Sequence, residues 1–479
     1  MRVSRRTLFG AAAAAGAGTL AATVPAPRAA RAGELDAPFV PGTAPHLLQA
    51  EQLVQYQRLI AAGYLTDGLA GHWPLGGDGS DRSGLGRTLA VGPGASWTTL
   101  RAGGELSLDG SSGATAPAVL DTAGSFTVSA WVRLASLSAT YTAVSQDSPT
   151  ATRFLLQYDP ALGWAFKVRS ADEREKASAV ATTPAAAGTW VHLAGVSHEG
   201  TLSLYVDGVL EGSTRTALAW RADRTFHIGQ ATWEGTTVNR WKGAIADVRA
   251  YQRALTADEI ALVAGRTARS ANHYETAAPA DVRWGSPADL TSWRSRARCA
   301  SFITAVLRHT YPWATDEYFR THFGDHSPEA ADYRKGFETQ PGPRMRRITR
   351  VADLQPGDLI AVDYAGTDPA NTGHIVMVRR LKGVHTGSLT FPGETQHAVE
   401  IIDCTSDPHG VYGLATYAPY PDTRMIDDAT VLTGTGIGHM MFYASDATGA
   451  FSRYRWSVNT GAAKTYTTAA RPISAARIL

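Results

Sequence analysis

The chain has 479 residues, of which 44% are hydrophobic and 18% are charged, so it is long enough for two or three globular domains. Its formal net charge of +2 at pH 7 lacks the large positive excess of nucleic-acid-binding proteins, so no nucleic-acid partner is expected.

Residues 1–32 have the pattern of a twin-arginine (Tat) export signal. Arg5 and Arg6 precede an uncharged run of alanine and glycine at residues 10–24, and Ala30-Arg31-Ala32 fits a cleavage site. The run is too short and too weakly apolar for a membrane anchor. We therefore expect a cleaved signal, an extracellular or cell-wall location, and no stable membrane insertion after cleavage.

The next segments are a linker with one helix and then a long run of strands. Residues 33–65 combine a proline-rich linker with a helix that has Pro45 near its start and Gly63 as its stop. In residues 66–265 apolar residues alternate with polar ones, as in Phe126 to Val132, and Asp207-Gly208 supplies a hairpin turn. A capping box at Thr256 begins a short closing helix. Short strands with glycine-rich turns predict a β-sandwich.

Three segments, SFTVSAWVRL, TWVHLAGVSHEGTLSLYVDGVLEG and WKGAIADVRAYQRALTADEI, make residues 66–265 resemble the laminin-G-like branch of the concanavalin A-like fold. This resemblance implies an all-β jelly-roll sandwich that binds a carbohydrate or a surface protein. Related sandwiches often hold one structural calcium ion, for which Asp78, Asp81 and Asp247 are the candidate carboxylates. The alternative is that the first two form loop turns and that Asp247 makes a strand-end hydrogen bond.

The tryptophans and acidic residues of the sandwich have competing interpretations. Trp220, Trp233 and Trp241 are candidates for a sugar-stacking platform, although packing roles are commoner for such residues. The charged segment at residues 172–175 lacks the alternation of a catalytic glucanase strand and is interpreted as a solvated turn. No carboxylate pair of a sandwich-type glycosidase is found.

A polar connector at residues 266–280 leads into residues 281–479, where mixed helical and strand patterns predict an α+β domain. Cys299 heads a helical apolar stripe that continues through Phe302, Ile303, Val306 and Leu307. Free N–H groups and the helix dipole at this first turn favour a thiolate. Cys299 is therefore a candidate nucleophile.

His374 opens a strand, and the segment HAVEIIDCTSD is the predicted returning strand. One antiparallel register pairs three residues of the first strand with three of the second: Val378 with Val399, Val376 with Ile401, and His374 with Asp403. Asp403 would then orient the His374 ring as the third member of a catalytic triad. Cys404 would point to the opposite face, which argues against the alternative of a Cys299–Cys404 disulfide.

The segments RWGSPADL, CASFI, LQPGDLIAV and GHIVMV, in this order, make residues 284–405 resemble the NlpC-type cell-wall cysteine peptidases and their CHAP amidase relatives. The resemblance implies a papain-like fold with Cys299 as nucleophile and His374 as base, and no cofactor for catalysis. Val282, Arg298 and Ser301 depart from the family pattern at positions that help to hold substrate. The C-terminal tail is not assigned by the resemblance.

The leading hypothesis is an exported cysteine hydrolase of amide bonds in peptidoglycan, held to glycan or surface protein by its sandwich domain. The alternative is a secreted, non-catalytic binding or adhesion protein with an inactive papain-like domain. The remaining histidines show no metal-ligand spacing and are predicted to be surface or loop residues: His309, His322, His326, His409 and His439.

Overall fold

The computed structural model describes residues 44–479 except 100, 102, 278, 288, 340–341, 367–370, 388, 412–413 and 426–430. The predicted export signal and most of the predicted linker lie outside the described residues. Contacts divide the described chain into two compact units, residues 60–267 and residues 44–59 with 268–479. No helix in the described part of the chain is long and apolar enough to span a membrane.

The first helix is α1 (Pro45–Ala61), as the sequence predicts, and Gly63 follows it with a positive φ of 56°. The strands of the first unit are β1 (Leu69–Trp73), β2 (Ala90–Val91), β3 (Ala95–Thr98), β4 (Glu105–Asp109), β5 (Ala114–Pro117), β6 (Phe126–Leu134), β7 (Tyr141–Asp147), β8 (Thr152–Asp159), β9 (Gly163–Arg169), β10 (Lys176–Val180), β11 (Val191–His198), β12 (Thr201–Val206), β13 (Val209–Arg215), β14 (Thr225–Ile228), β15 (Ala231–Trp233), β16 (Thr236–Val238) and β17 (Lys242–Tyr251). Helix α2 (Ala257–Val263) closes the unit, and α3 (Arg266–Ala271) follows it.

Two antiparallel sheets form the sandwich. One has the order β13-β12-β11-β6-β17-β4-β3, with β1 added on β17, and the other has the order β10-β9-β8-β7-β14-β5-β2. Strands β15 and β16 pair as a separate hairpin. The predicted turn at Asp207-Gly208 joins β12 to β13, with φ values of 48° and 78° that suit a type I′ turn. The multi-stranded β-sandwich expected from the alternating pattern is confirmed.

The core of the sandwich lies between the inner faces of the two sheets. The predicted inward residues of β6, from Phe126 to Val132, are fully buried. The Phe126 ring packs 5.1 Å from Phe154 and 6.2 Å from Phe166 of the opposite sheet, measured between ring centroids. Tertiary packing of apolar side chains therefore holds the two sheets together.

The outer face of β6 is also largely covered, which the alternation does not predict. Thr127 and Ser129 on that face are fully buried, and the Thr127 hydroxyl donates to the Arg253 carbonyl at 2.9 Å. A second apolar cluster that includes Tyr251 and Ile260 lies on this side. Helix α2 begins at the capping box formed by Thr256 and Glu259.

The second unit contains the strands β18 (Asn272–Tyr274), β19 (Asp281–Arg283), β20 (Arg294–Ala297), β21 (Met345–Ile348), β22 (Leu359–Asp363), β23 (Gly373–Val384), β24 (Glu394–Thr405), β25 (Gly434–Ser445), β26 (Phe451–Arg455), β27 (Thr465–Thr467) and β28 (Ile473–Ile478). Its helices are α4 (Cys299–Thr310), α5 (Asp316–Phe323) and α6 (Ala330–Thr339).

One antiparallel sheet organises the second unit, with the order β21-β28-β22-β23-β24-β25-β26-β27, and a smaller sheet has the order β18-β20-β19. The tail that the sequence does not assign supplies β25 to β27, which extend the larger sheet beyond β24, and β28, which lies between β21 and β22. Helix α1 packs in this unit, since the two ring nitrogens of His46 lie 2.8 Å from the Tyr311 hydroxyl and 2.7 Å from the Gly357 carbonyl. The Tyr56 ring stacks on Trp293 at 3.8 Å.

Candidate active site

Cys299 lies at the first turn of α4, directly after β20. The apolar stripe of the helix is buried as predicted, and Cys299 itself is 5% exposed. The Ser301 hydroxyl accepts a hydrogen bond from the Arg298 backbone N–H at 3.0 Å, which fixes the chain where the helix begins. The helix N-terminus thus presents free backbone N–H groups beside the thiol, as the sequence predicts.

His374 follows Gly373 at the start of β23 and is 5% exposed. The backbone at Gly373 approaches β22 so closely that a Cβ there would lie 2.0 Å from the Val362 carbonyl oxygen. Glycine at this position therefore lets β23 pair closely with β22. The backbone here also lies next to the thiol, since Sγ of Cys299 is 3.9 Å from the Gly373 carbonyl oxygen.

Cys299, His374 and Asp403 are brought together. Nε2 of His374 lies 2.7 Å from Oδ2 of Asp403, so the other ring nitrogen is left to face the thiol. Burial alone would lower the pKa of His374. Hydrogen bonds to Asp403 and Cys299, together with the negative charges of both groups, outweigh burial and raise the pKa of His374 to about 9.

The predicted strand register is wrong by two residues. Val378 pairs with Ile401 instead of Val399, and Val399 pairs with Leu381, since two β-bulges change the offset along β23. Next to the site the offset from the predicted pairing is two residues, and an even offset keeps Asp403 on the same side of the sheet as His374. The side chains meet although the two residues are not paired in the ladder.

Both cysteines are free thiols, so the alternative disulfide is not formed. The Cys404 thiol donates to the Ala297 carbonyl at 3.0 Å. Burial and the neighbouring charge of Asp403 raise the pKa of Cys404. Cys404 is therefore a buried neutral thiol, and Cys299 is the one next to a base.

Asp403 is fully buried and is surrounded by a buried ionic network. The sequence patterns considered above do not predict this network. Oδ1 of Asp403 accepts from Nη1 of Arg424 at 2.8 Å, and Oδ2 lies 2.9 Å from Nε2 of His409. Arg424 in turn donates to both oxygens of Asp422 at 2.8 and 2.7 Å. Burial would raise the pKa of Asp403, but the charges of Arg424 and His409 hold it well below its usual range.

Glycines on β25 make room for this network over the sheet. Gly436 pairs with Asp403 and Gly438 with Ile401. A Cβ on Gly438 would lie 2.7 Å from an oxygen of Asp422, and one on Gly436 would lie 2.9 Å from Nε of Arg424. Alternating glycines in a strand signal a close approach of this kind, and GTGIG at residues 434–438 is the pattern from which the network could have been predicted.

The prediction that the remaining histidines are surface or loop residues is wrong for His439, which lies on β25, whereas His409 lies in the loop after β24 but is buried there. His409 and His439 are fully buried, because each lies beside a buried carboxylate: Asp403 for His409, and Glu400 at 3.5 Å for His439. His309 stacks on Trp284 with 3.8 Å between ring centroids. His322 is half-buried, and His326 is exposed.

Within the described ranges, one group of side chains is spaced to hold a metal ion, namely His374, Asp403 and His409, whose ligand atoms lie within 4.8 Å of one another. These atoms are already joined by hydrogen bonds of 2.7 and 2.9 Å. The Arg424 guanidinium adds a fixed positive charge beside the carboxylate. The donor set therefore suits an internal hydrogen-bond network better than a divalent cation.

The three aspartates predicted to bind calcium do not fit that ion. Both oxygens of Asp247 face positive or N–H groups, from His72 at 2.8 Å and from Arg249 at 3.0 and 3.2 Å. Asp81 accepts from backbone N–H groups of His72, Ser83 and Arg87. Asp78 is exposed and caps a turn through the Ser80 N–H. A calcium ion needs several uncommitted oxygens, which these side chains do not offer.

The three sandwich tryptophans have different environments. Trp241 is fully buried in the core, so it cannot belong to a sugar-stacking platform. Trp233 is 37% exposed, and the Arg169 guanidinium lies 4.3 Å from its ring centroid. The Trp220 indole N–H donates to the Arg169 carbonyl at 2.8 Å. Trp233 is thus the exposed one of the three tryptophans, and its ring is held by the Arg169 guanidinium.

Two cavities lie near the Cys299–His374 pair. The first, of about 350 Å³, is lined by Cys299 and Gly373 and by charged residues that include Arg298 and Glu329. The second, of about 540 Å³, has Trp456 in its wall. The Trp456 ring lies 4.8 Å from the His374 ring. The first cavity therefore borders the thiol, and Trp456 lies between the His374 ring and the second cavity.

Replacing Arg424 with glutamine should destabilise the second unit by about 3–5 kcal/mol, because it leaves the Asp403 carboxylate buried without its fixed counter-charge. Calorimetry of the full chain should show one transition moved to lower temperature. The double variant Asp403→Asn/Arg424→Gln should recover part of the loss, and Arg346→Gln on the exposed face of β21 is the matched control. An unchanged transition for Arg424→Gln would contradict a structural role for the ion pair.

The His374 ring should titrate near pH 9 in the wild type and at lower pH in Cys299→Ala, since the variant removes a hydrogen bond and a charge that raise the pKa. The pKa of His374 in the folded protein lies above its ordinary value of 6.5. The interactions of the protonated ring therefore stabilise the fold fully below pH 6.5, and this contribution is lost as the pH rises through about 9. NMR of the labelled ring measures both midpoints. Equal midpoints would show that the thiol does not interact with His374.

Comparison with known proteins assigns the sandwich. Residues 108–261 match the family model of the concanavalin A-like lectin/glucanases superfamily. No curated protein sequence matches the chain.

Some solved structures resemble parts of the chain. One is domain 4 of a GH43 extracellular arabinanase from Geobacillus stearothermophilus in complex with arabinotriose. It has 22% sequence identity and a TM-score of 0.35, and the match covers 41% of this chain and 98% of that one. A Trypanosoma rangeli sialidase in complex with DANA has 18% identity, a TM-score of 0.32, and coverage of 46% and 38%. A heptameric SAP-like pentraxin from Limulus polyphemus has 18% identity, a TM-score of 0.26, and coverage of 29% and 69%. It is the family match that identifies residues 108–261 as a concanavalin A-like lectin/glucanase sandwich domain.

Proposed function

We propose that this protein is an exported cysteine hydrolase of amide bonds that acts on cell-wall peptidoglycan. The observation that carries the proposal is the Cys299 thiol at a helix N-terminus, next to a His374 ring that a buried Asp403 orients at 2.7 Å. The order of motifs that resembles the NlpC-type and CHAP peptidases supports a papain-like assignment for the second unit. Export rests on the twin-arginine pattern of residues 1–32.

The geometry suits nucleophilic catalysis in two steps. The Cys299 sulfur bonds to the carbonyl carbon, the C–N bond breaks, and the His374 proton moves to the leaving amine. Water then attacks the thioester, gives a proton to His374 and releases the thiolate. The Cys299 backbone N–H at the helix start would stabilise the oxyanion in both steps.

Asp403 acts in these steps through His374 rather than on the substrate. Its carboxylate, 2.7 Å from Nε2, keeps the other ring nitrogen directed to the sulfur and stabilises the positive ring. Since Asp403 is fully buried, it does not meet solvent or substrate.

The role proposed for the sandwich is to hold the enzyme on glycan. Lectin-like sandwiches bind sugars by stacking apolar ring faces on exposed aromatic side chains. Trp233 offers such a surface, since it is 37% exposed and fixed by Arg169.

A non-catalytic binding protein is the second candidate. The low exposure of the pair, 5% for Cys299 and 5% for His374, favours it, because a peptide must reach the sulfur. The two functions differ in whether amide bonds are broken, which the following experiment measures.

Wild-type protein should release amino groups and soluble fragments from purified peptidoglycan, whereas Cys299→Ala and His374→Ala should lose at least about 1000-fold in rate, as expected when a nucleophile or its base is removed. Cys404→Ala is the matched control, because it removes the other thiol and should retain activity. Equal release by wild type and Cys299→Ala would remove the thiol from the mechanism. Absence of release in all variants, with peptidoglycan still bound, would favour the binding protein.

Trp233→Ala, made in the inactive Cys299→Ala background, should weaken co-sedimentation with insoluble peptidoglycan by about fivefold, from the loss of one stacking surface. Leu210→Ala provides the control, since Leu210 is another exposed apolar residue of the sandwich, at 52% exposure. Equal binding by the Trp233 and Leu210 variants would place the glycan contact elsewhere.

A further inference from the structure

The second cavity, of about 540 Å³, has a composition that neither the sequence analysis nor the mechanism explains. Apart from Tyr364, its wall is built from tail residues, and it combines five aromatic side chains with two cations: Tyr364, Tyr417, Tyr454, Trp456, Tyr466, Lys464 and Arg471. Apolar ring faces with a few fixed charges are typical of a site that binds a small polar group.

Arg471 is held in place by rings rather than by a carboxylate. Its guanidinium carbon lies 4.0 Å from the Tyr364 ring centroid and 3.7 Å from that of Tyr466. Nη1 donates to the Tyr454 hydroxyl at 2.9 Å. Two cation–π contacts and one hydrogen bond fix the plane of the guanidinium and leave other N–H groups for a ligand.

The two cations of the cavity outnumber its one carboxylate, that of Asp407. Among the residues that the structure describes, neither Arg471 nor Lys464 forms a salt bridge with a carboxylate. Asp407 is the acidic residue that also lines the cavity, and it is exposed. A fixed guanidinium beside a flexible ammonium suits an oxyanion, and a planar carboxylate fits the guanidinium by paired hydrogen bonds.

The position of the cavity assigns it to one side of the scissile bond. Trp456 forms part of its wall and packs on both His374, at 4.8 Å, and His409, at 4.1 Å between ring centroids. In the proposed mechanism His374 delivers its proton to the leaving amine. The cavity on the His374 side therefore lies where the amine portion of the substrate would sit.

We propose that this cavity is a subsite for a carboxylate on the leaving-amine portion of the substrate, bound by Arg471 and Lys464. The ligand class is an acidic peptide or amino acid, released with its carboxylate in this cavity. The inference rests on the proposed function, because it assigns the leaving side from the role of His374. Such a subsite would make the enzyme prefer amide bonds that are followed by a nearby carboxylate. The thiol and the imidazole by themselves do not supply this substrate preference.

The test compares purified peptidoglycan with the same material after its carboxylates are converted to carboxamides. Wild type should show kcat/KM about tenfold higher on the native material, the effect of one charge-assisted ion pair. Lys464→Gln and Arg471→Gln should each reduce this preference, while Arg471→Lys should keep part of it. Arg346→Gln, which removes an exposed arginine outside the cavity, should leave it unchanged.

A binding measurement separates failure of this inference from failure of the proposed function. Calorimetric titration of Cys299→Ala with one purified soluble stem peptide, in carboxylate and carboxamide forms, needs no turnover. Tighter binding of the carboxylate form that is lost with Lys464→Gln or Arg471→Gln supports the subsite, even if wild type hydrolyses nothing. Equal binding of both forms, or a preference that survives both substitutions, overturns it, even if wild type hydrolyses peptidoglycan.

Discussion

The second unit depends on one buried negative charge, the carboxylate of Asp403. Moving a carboxylate out of water costs several kcal/mol even after relaxation, so the chain must surround it with donors and positive charge. Arg424 binds one oxygen, and His374 and His409 share the other. Asp422 fixes the Arg424 guanidinium through two further hydrogen bonds. The orientation of His374 toward the thiol is therefore a consequence of how this charge is neutralised.

The same constraint explains why the C-terminal tail is integral to the site. The loop after β24 must fold back over the sheet to bring His409 and Arg424 to Asp403, and this is possible because Gly436 and Gly438 on β25 leave space. Trp456, from just beyond β26, then covers His374 and His409. A strand pair alone would place the histidine near the aspartate. The tail makes that arrangement rigid and supplies the second cavity.

Local patterns were sufficient for part of this structure. The sandwich strands follow from period-two alternation, and the helix headed by Cys299 follows from its apolar stripe, because both patterns reflect which side of an element is buried. The register between β23 and β24 differs from the prediction by two residues near the site, because an alternating pattern fits equally well at every even offset. The counter-ions of Asp403 were missed because Arg424 is 21 residues away and meets it through a loop. Helix α1 was found, but its partners in the second unit are set by long-range packing that an isolated helix pattern does not encode.

Charge balance in the network bears on how the thiol and imidazole exchange a proton. Both ring nitrogens of His409 face oxygen atoms, those of the Asp403 carboxylate and the Trp456 carbonyl, so the ring is held on both sides. The Arg424 guanidinium donates to Asp403 and to Asp422, so both carboxylates have a positive partner other than the Cys299–His374 pair. Proton transfer from sulfur to imidazole creates one negative and one positive charge and leaves the net charge of the buried cluster unchanged. The network thus fixes the His374 ring in position through partners that take no part in the proton transfer, so the Cys299–His374 pair can pass between its neutral and ionic forms without a change in the surrounding charges.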